Sequence, residues 1–227
     1  MRRFRNRSDA GRELATALYR RGLLEEGAAG DGTGPRSVVV FGLARGGVPV
    51  AAEVARAAGV PVRALVVRKV SAPGFEEYAL GAIAAFAGEV AVVRNAGQGD
   101  GPEFDEAVAR QLPELRRRET LFGAGAPAPD LAGRTAVLVD DGLATGATML
   151  AAVQAVRSVG PAAVVVAVPV ALGRTRDQLE AVADDVLALQ EPAGMRSVGA
   201  AYDDFTQTSE RDVLSLLRLP GGSQHDT

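Results

Sequence analysis

Asp140 and Asp141 close an apolar run, Ala136-Val137-Leu138-Val139, and lead into Gly142-Leu143-Ala144-Thr145-Gly146-Ala147-Thr148. Each part of this stretch has a chemical use. Adjacent carboxylates accept hydrogen bonds from neighbouring hydroxyls or hold a hard cation. The small residues after them let backbone N–H groups converge on an anion without interference from Cβ atoms, and a helix start adds partial positive charge. Thr145 and Thr148 can donate further hydrogen bonds to the same anion. A phosphate beside a diol suits both halves, which describes a ribose 5-phosphate. The plain alternative is two solvated acids at a strand end followed by an ordinary helix cap.

Two further stretches offer anion chemistry. Arg45-Gly46-Gly47 follows an apolar run and precedes Pro49, so it reads as a strand-to-helix turn whose amides can face a phosphate. Val66-Val67-Arg68-Lys69 ends a second apolar run with the only lysine among 25 basic residues. An ammonium suits a point contact to phosphate. Arg68 alternates to the other side of its strand, and Arg116-Arg117-Arg118 reads as a solvated helix face.

Other chemistries are poorly served. The chain has no cysteine, hence no disulfide and no thiol nucleophile, and its one histidine is His225, near the end of a Gly/Ser/Gln tail. A Ser-His-Asp triad and a histidine-bound metal lack their residues. There is no Gly-x-Ser-x-Gly elbow and no P-loop motif, which argues against an esterase and a P-loop kinase. A net charge of −3 gives no reason to expect nucleic acid, and no apolar run approaches the roughly 18 residues of a membrane span. The basic start, Met1 to Arg7, lacks the apolar core of a signal peptide. A cytoplasmic protein without membrane or nucleic-acid partners is the expectation.

Hydrophobic patterning supplies the frame. Ser8 can cap a helix that ends near Gly27; short buried strands are expected at 37–42, 62–68, 135–139, 163–168 and 186–189; helices at 49–59, 102–122, 147–159, 174–183 and 210–217. Pro113 is expected to kink or split its helix. Residues 71–77 read as a Pro/Gly loop, with 79–86 and 90–93 as a hairpin. Continuous apolar strands alternating with helices predict an α/β fold with a central parallel sheet covered on both faces. Right-handed crossovers then bring 43–47, 69–77 and 142–148 to the carboxyl edge, where such sheets bind ligands.

Residues 137–149 resemble the phosphoribosyl pyrophosphate (PRPP) fingerprint of type I phosphoribosyltransferases: apolar residues, two acids, then a Thr/Gly/Thr loop. Leu43 to Ala51 resembles the family's pyrophosphate loop and following helix. Val66 to Lys69, Ala72-Pro73-Gly74 and Tyr78 to Ala82 resemble an uncharacterised microbial branch. The resemblance covers roughly residues 1–215. It implies the type I phosphoribosyltransferase fold with a small hood, and transfer of ribose 5-phosphate from PRPP to an unidentified nitrogenous base with release of pyrophosphate. It also implies Mg as cofactor.

By the same resemblance Asp140 and Asp141 engage the ribose hydroxyls and the Mg ion, directly or through water. Ala144, Thr145, Gly146, Ala147 and Thr148 take the 5-phosphate. Gly46 and Gly47 present amides to pyrophosphate, often beside a non-proline cis peptide, and Arg45 and Lys69 stabilise the leaving group. Branch members often have proline or serine where Ala44 stands, so side-chain help from this position is not expected. The 71–78 stretch matches a mobile lid. Tyr202 and Phe205 lie where the hood covers the base; the pair can stack on a ring or anchor the C-terminal segment, and both readings stay open.

The expected organisation is an N-terminal helical arm at 1–30, the phosphoribosyltransferase core at 36–190, a hood and helix segment at 191–218 and a flexible tail at 219–227. The partners implied are small molecules, PRPP and a base. Family members are often homodimers, and the oligomeric state is left open. A non-catalytic PRPP- or nucleotide-binding regulator that reuses the fold is the alternative.

Overall fold

A computed structural model describes residues 2–24, 37–72, 75–94, 101–123 and 128–218. Seven strands form one sheet: β1 (Val38–Ala44), β2 (Val62–Ala72), β3 (Phe75–Phe86), β4 (Glu89–Arg94), β5 (Thr135–Val139), β6 (Ala163–Val170) and β7 (Asp185–Gln190), in the order β4-β3-β2-β1-β5-β6-β7. The five strands from β2 to β7 across β1 are parallel, and β3 and β4 add an antiparallel ribbon to the β2 side. The sheet is therefore mixed: the 79–86/90–93 hairpin joins it rather than standing apart.

The helices are α1 (Arg7–Arg20), α2 (Gly47–Ala58), α3 (Pro102–Gly123), α4 (Ala147–Arg157), α5 (Thr175–Glu180) and α6 (Glu210–Leu217). Strand residues alternate between two helical layers, which is why the strands read as continuous apolar runs. Val38, Val40, Val137, Val139, Val165 and Ala167 pack under α1 and α2. Val39, Phe41, Leu138, Val166 and Val168 pack against α4 on the other face. Helix α3 and the terminal α6 cover Val66, Val70, Ile83 and Ala85.

Three local expectations need correction. Helix α1 is capped by Asn6, whose side chain accepts from the Asp9 N–H, rather than by Ser8, and it ends at Arg20. Of the kink or split expected at Pro113, the split does not occur: α3 continues on both sides of it, although the ring removes one N–H bond and crowds the preceding turn. Residues 71–77 are not simply a loop. Strand β2 runs on to Ala72 and β3 starts at Phe75, paired antiparallel with register shifts around Ser71. A β-bulge lets a ribbon twist while keeping most ladder hydrogen bonds, so pairing takes in the residues on either side of 73–74 that read as loop. Residues 73–74 and the side chains of 72–79, including Glu76, Glu77 and Tyr78, lie outside the described residues, as do His225 and the rest of the tail.

Candidate functional site

Parallel register brings the chemistry-bearing turns together. Gly42 of β1 pairs with Val139 of β5, and Ala44 pairs with Val66 of β2. The residues that follow, Arg45 to Gly47 and Asp140 to Thr148, thus leave neighbouring strands at the same carboxyl edge, with Lys69 one strand away. Strand β1 is also where the chain order reverses, since β2 lies on one side of it and β5 on the other. A crevice forms at such a switch point.

The two loops touch. A Cβ added at Gly46 would lie 2.2 Å from Asp141 Oδ2, and one at Gly47 would lie 2.5 Å from the Val139 carbonyl oxygen and 3.0 Å from Asp140 Oδ1. Only glycine permits this approach. The Ala44–Arg45 peptide is cis. Gly47 opens α2, and Val48 donates its N–H back to the Arg45 carbonyl (3.3 Å). Lys69 is exposed, and its ammonium acts on Asp140 electrostatically.

The 144–148 loop is held from below. Gly146, at φ +77°, is the N-cap of α4, so the helix starts directly behind Thr145. Leu143 donates its N–H to the Val170 carbonyl (2.8 Å), and Leu172 donates to the Leu143 carbonyl (2.9 Å). The buried Thr175 hydroxyl lies within hydrogen-bonding distance of the Ala144 carbonyl (3.0 Å) and the Leu172 carbonyl (2.7 Å). Ala144 and Thr145 are exposed, Thr148 is half-buried, and the first amides of α4 have no carbonyl of their own helix to meet. The arrangement suits an anion.

The acid pair is unusually placed. Asp141 donates its N–H to Asp140 Oδ1 (2.8 Å). Burial, then the charge of Asp141, push the Asp140 carboxyl well above the usual range, against the Asp141 N–H, Arg7 and Lys69. Burial also raises Asp141, opposed by Arg7. The folded chain therefore retains protons that the unfolded chain releases. The pair favours folding below the ordinary value of 3.8 and costs stability as pH rises through the raised values. In metal-free buffer at pH 8, Asp140→Asn is expected to raise Tm, with the gap to wild type narrowing on acidification. Thermal melts across pH check this; identical melting at pH 8 would contradict it.

One partner of the pair had no signature in the sequence. Arg7, the first residue of α1, donates from Nε (2.8 Å) to Asp141 Oδ2, and its Nη2 is also 2.8 Å from that oxygen. Its Nη1 donates to the Thr206 carbonyl (2.8 Å), and the guanidinium lies 3.9 Å from the centroid of the Phe205 ring. Both side chains of the ion pair are shielded, at 11% and 15% exposure. The basic N-terminus marked Arg7 only as one arginine among several.

The open choice at Tyr202 resolves toward anchoring. Its ring is 1% exposed, stacks on Phe205 at 5.0 Å and meets Phe4 at 5.6 Å, while its hydroxyl donates to the Asp141 carbonyl (2.6 Å). Burial and the nearby Asp141 charge raise the hydroxyl's pKa, which keeps it a neutral donor. A base cannot stack on a ring so enclosed, so Tyr202 is withdrawn as a base contact. Phe205 is only half-buried, but Tyr202 and Arg7 already engage its ring. Tyr202→Ala is expected to cost about 3–5 kcal/mol of stability, and Tyr202→Phe about 1 kcal/mol. Urea denaturation measures both; a Tyr202→Ala loss below that of Tyr202→Phe would contradict the anchor.

A cavity of about 730 Å³ lies elsewhere, lined by Phe41, Val62, Phe86, Phe122, Leu214 and Leu217 among others. It is lined in part by the first residues of β2 and contains none of Arg7, Arg45 to Gly47, Lys69 and Asp140 to Thr148.

An acid pair, a helix-start turn and a Gly-Gly turn at one switch point define the class: an open α/β protein with these groups gathered at the carboxyl edge of its sheet, where such folds bind ligands. The family model described as "Phosphoribosyl transferase domain" matches residues 29–203. Two Mycobacterium tuberculosis proteins provisionally named phosphoribosyl transferases, MT0597 (strain CDC 1551/Oshkosh) and Rv0571c (strain H37Rv), are each 41% identical over 220 residues, 96% of this chain. The chain spans about half (47%) of the length of these relatives. The crystal structure of TT1426 from Thermus thermophilus is 43% identical, covers 96% of this chain and 98% of its own, and superposes with a TM-score of 0.75. The chain belongs to the phosphoribosyl transferase domain family. Among the described residues no helix is long and apolar enough to cross a membrane.

Proposed function

We propose that this protein is a phosphoribosyltransferase that uses PRPP and Mg to transfer ribose 5-phosphate to a nitrogenous base, releasing pyrophosphate. The observation that carries the reading is the direct apposition of Gly46-Gly47 and Asp140-Asp141. A pyrophosphate held by the first pair would have its ribose beside the second. The 5-phosphate then reaches the start of α4.

In the reaction the acceptor nitrogen bonds to C1 as the C1–O bond to pyrophosphate breaks, and the electron pair leaves with pyrophosphate. The acceptor's surplus proton passes to solvent or to a phosphate oxygen. Charge grows at both ends, so preorganised electrostatics and positioning dominate. The amides of Gly46 and Gly47, with Arg45 and Lys69, face the growing negative charge. Asp140 and Asp141 hold the ribose hydroxyls and favour positive charge at C1.

Among the described residues no group of three or more acidic, histidine or cysteine side chains could hold a metal by itself. Two carboxylates suit Mg, which is commonly held by one or two carboxylates together with substrate phosphates and water. Asp140 and Asp141 would hold it. When bound, the ion would neutralise charge on the pyrophosphate.

The test is calorimetry with PRPP and Mg, followed by a pyrophosphate-release screen across purine, pyrimidine and smaller nitrogenous acceptors. Release that depends on one acceptor class is the expected result. Tight binding with no release for any acceptor would overturn catalysis in favour of a PRPP-binding regulator.

A further inference from the structure

The N-terminal segment reaches the acid pair as one half of a strap. Phe4 donates its N–H to the Ala201 carbonyl (2.9 Å), and Asp203 and Asp204 donate theirs to the Phe4 (2.8 Å) and Arg5 (2.9 Å) carbonyls. Arg3 adds a hydrogen bond to the Tyr202 carbonyl and an ion pair with Asp203 (3.1 Å). Two stretches about 200 residues apart in sequence are thus zipped together beside the crevice. Each sends one side chain to Asp141: Arg7 to the carboxylate and Tyr202 to the backbone carbonyl.

The two contacts fix different degrees of freedom. The Tyr202 hydroxyl sets the peptide plane after Asp141. Arg7 engages only Oδ2, through two nitrogens, and is itself fixed by the Thr206 carbonyl and the Phe205 face. A planar guanidinium seated this way constrains both distance and rotation, which an ammonium cannot do. Asp140 is held differently, by a backbone N–H. The two acids are therefore not equivalent.

From this geometry we infer that Arg7 is a positioning residue of the ligand site: it occupies Asp141 Oδ2 and presents the other oxygen, Oδ1, to the ligand, while Asp140 supplies the unclamped carboxylate. The inference rests on the PRPP reading above and adds Arg7, alone among the strap residues of the N-terminal segment, to the site.

Calorimetry with PRPP and Mg on the full chain tests it, with melting temperature recorded for each variant. Arg7→Gln is expected to weaken PRPP binding by roughly 10- to 100-fold, the range for removing a partner that orients a ligand-binding group. Arg7→Lys is expected to fall between this and wild type. Adding Arg7→Gln to Asp141→Asn should weaken binding little further, because the two residues act through one contact. Arg3→Gln is the control: it weakens the same strap without touching Asp141, and should leave PRPP affinity within about twofold of wild type.

Unchanged affinity in Arg7→Gln would overturn the inference alone. So would equal losses in Arg3→Gln and Arg7→Gln that track their melting temperatures, since that pattern marks a purely structural strap. If Arg7→Gln does not fold, Arg7→Lys and Arg3→Gln decide the matter by the same comparison. Wild-type protein that binds no PRPP would instead overturn the proposed function, and the inference with it.

Discussion

Asp140→Asn together with Asp141→Asn is expected to take PRPP-dependent pyrophosphate release to background, and Asp140→Asn alone to lower kcat/KM by roughly 10²- to 10³-fold. That loss corresponds to about 3–4 kcal/mol of transition-state stabilisation, the scale on which a single preorganised electrostatic partner acts. Asn keeps the shape of the side chain and can still accept the Asp141 N–H, so Asp140→Asn removes charge with little change in packing. The double variant also strips Arg7 of its carboxylate, leaving a shielded guanidinium with the Thr206 carbonyl and the Phe205 ring. Melting curves should therefore accompany the kinetics. Wild-type turnover in a folded double variant would place the chemistry elsewhere.

Gly47→Ala is expected to be nearly as damaging, by a different route. The added Cβ would meet the Val139 carbonyl oxygen at 2.5 Å and Asp140 Cα at 2.9 Å. Both are backbone atoms of the strand that carries the acids, so the contact is relieved only by separating β1 and its loop from β5. Overpacking of this kind costs about 1–3 kcal/mol. For a chain of this length each kcal/mol lowers Tm by about 2–4 °C. PRPP affinity should fall with it, because the displaced atoms are those proposed to flank the ligand. Gly101→Ala, where an added Cβ meets nothing within 4 Å, serves as the neutral control. Gly47→Ala with the melting temperature and PRPP affinity of wild type would show that the two loops are not held in this register.

Much of this site is written in short stretches of chain. The acid pair, the Thr/Gly/Thr turn and the Gly-Gly turn are each local, and each needs only its own neighbours to be recognised. The strands that deliver them were equally plain, since Val38–Ala44 and Thr135–Val139 are buried on both faces and read as unbroken apolar runs. The α6 helix, expected at 210–217, is fixed at its start by Ser209 and Asp212, which form a reciprocal capping box.

The antiparallel pairing on either side of residues 73–74 depends on more than local composition. Pro73 and Gly74 signal a loop, and the pairing of Ser71 with Ala79 depends on a strand partner that composition cannot supply. Tyr202 and Phe205 show the same limit in side chains. An aromatic pair after the last strand suits a ligand ring or a core equally well; burial between Phe4 and the Asp141 carbonyl decides for Tyr202.

The amino-acid sequence by itself determined which groups are available: two adjacent acids, one Gly-Gly turn, one lysine and a hydroxyl-bearing helix start, on strands whose parallel order sends them to one edge. Their chemistry follows from residue type, so it survives reading in one dimension. Only the tertiary structure decided how the acids are held. Arg7 and Asp141 lie 134 positions apart, and no periodicity or motif links residues across that span. Their pairing exists because two sequence-distant strap segments zip together beside β5 and turn a terminal arginine inward. Long-range contact is a property of packing, and packing made one acid of the pair clamped and left the other unclamped.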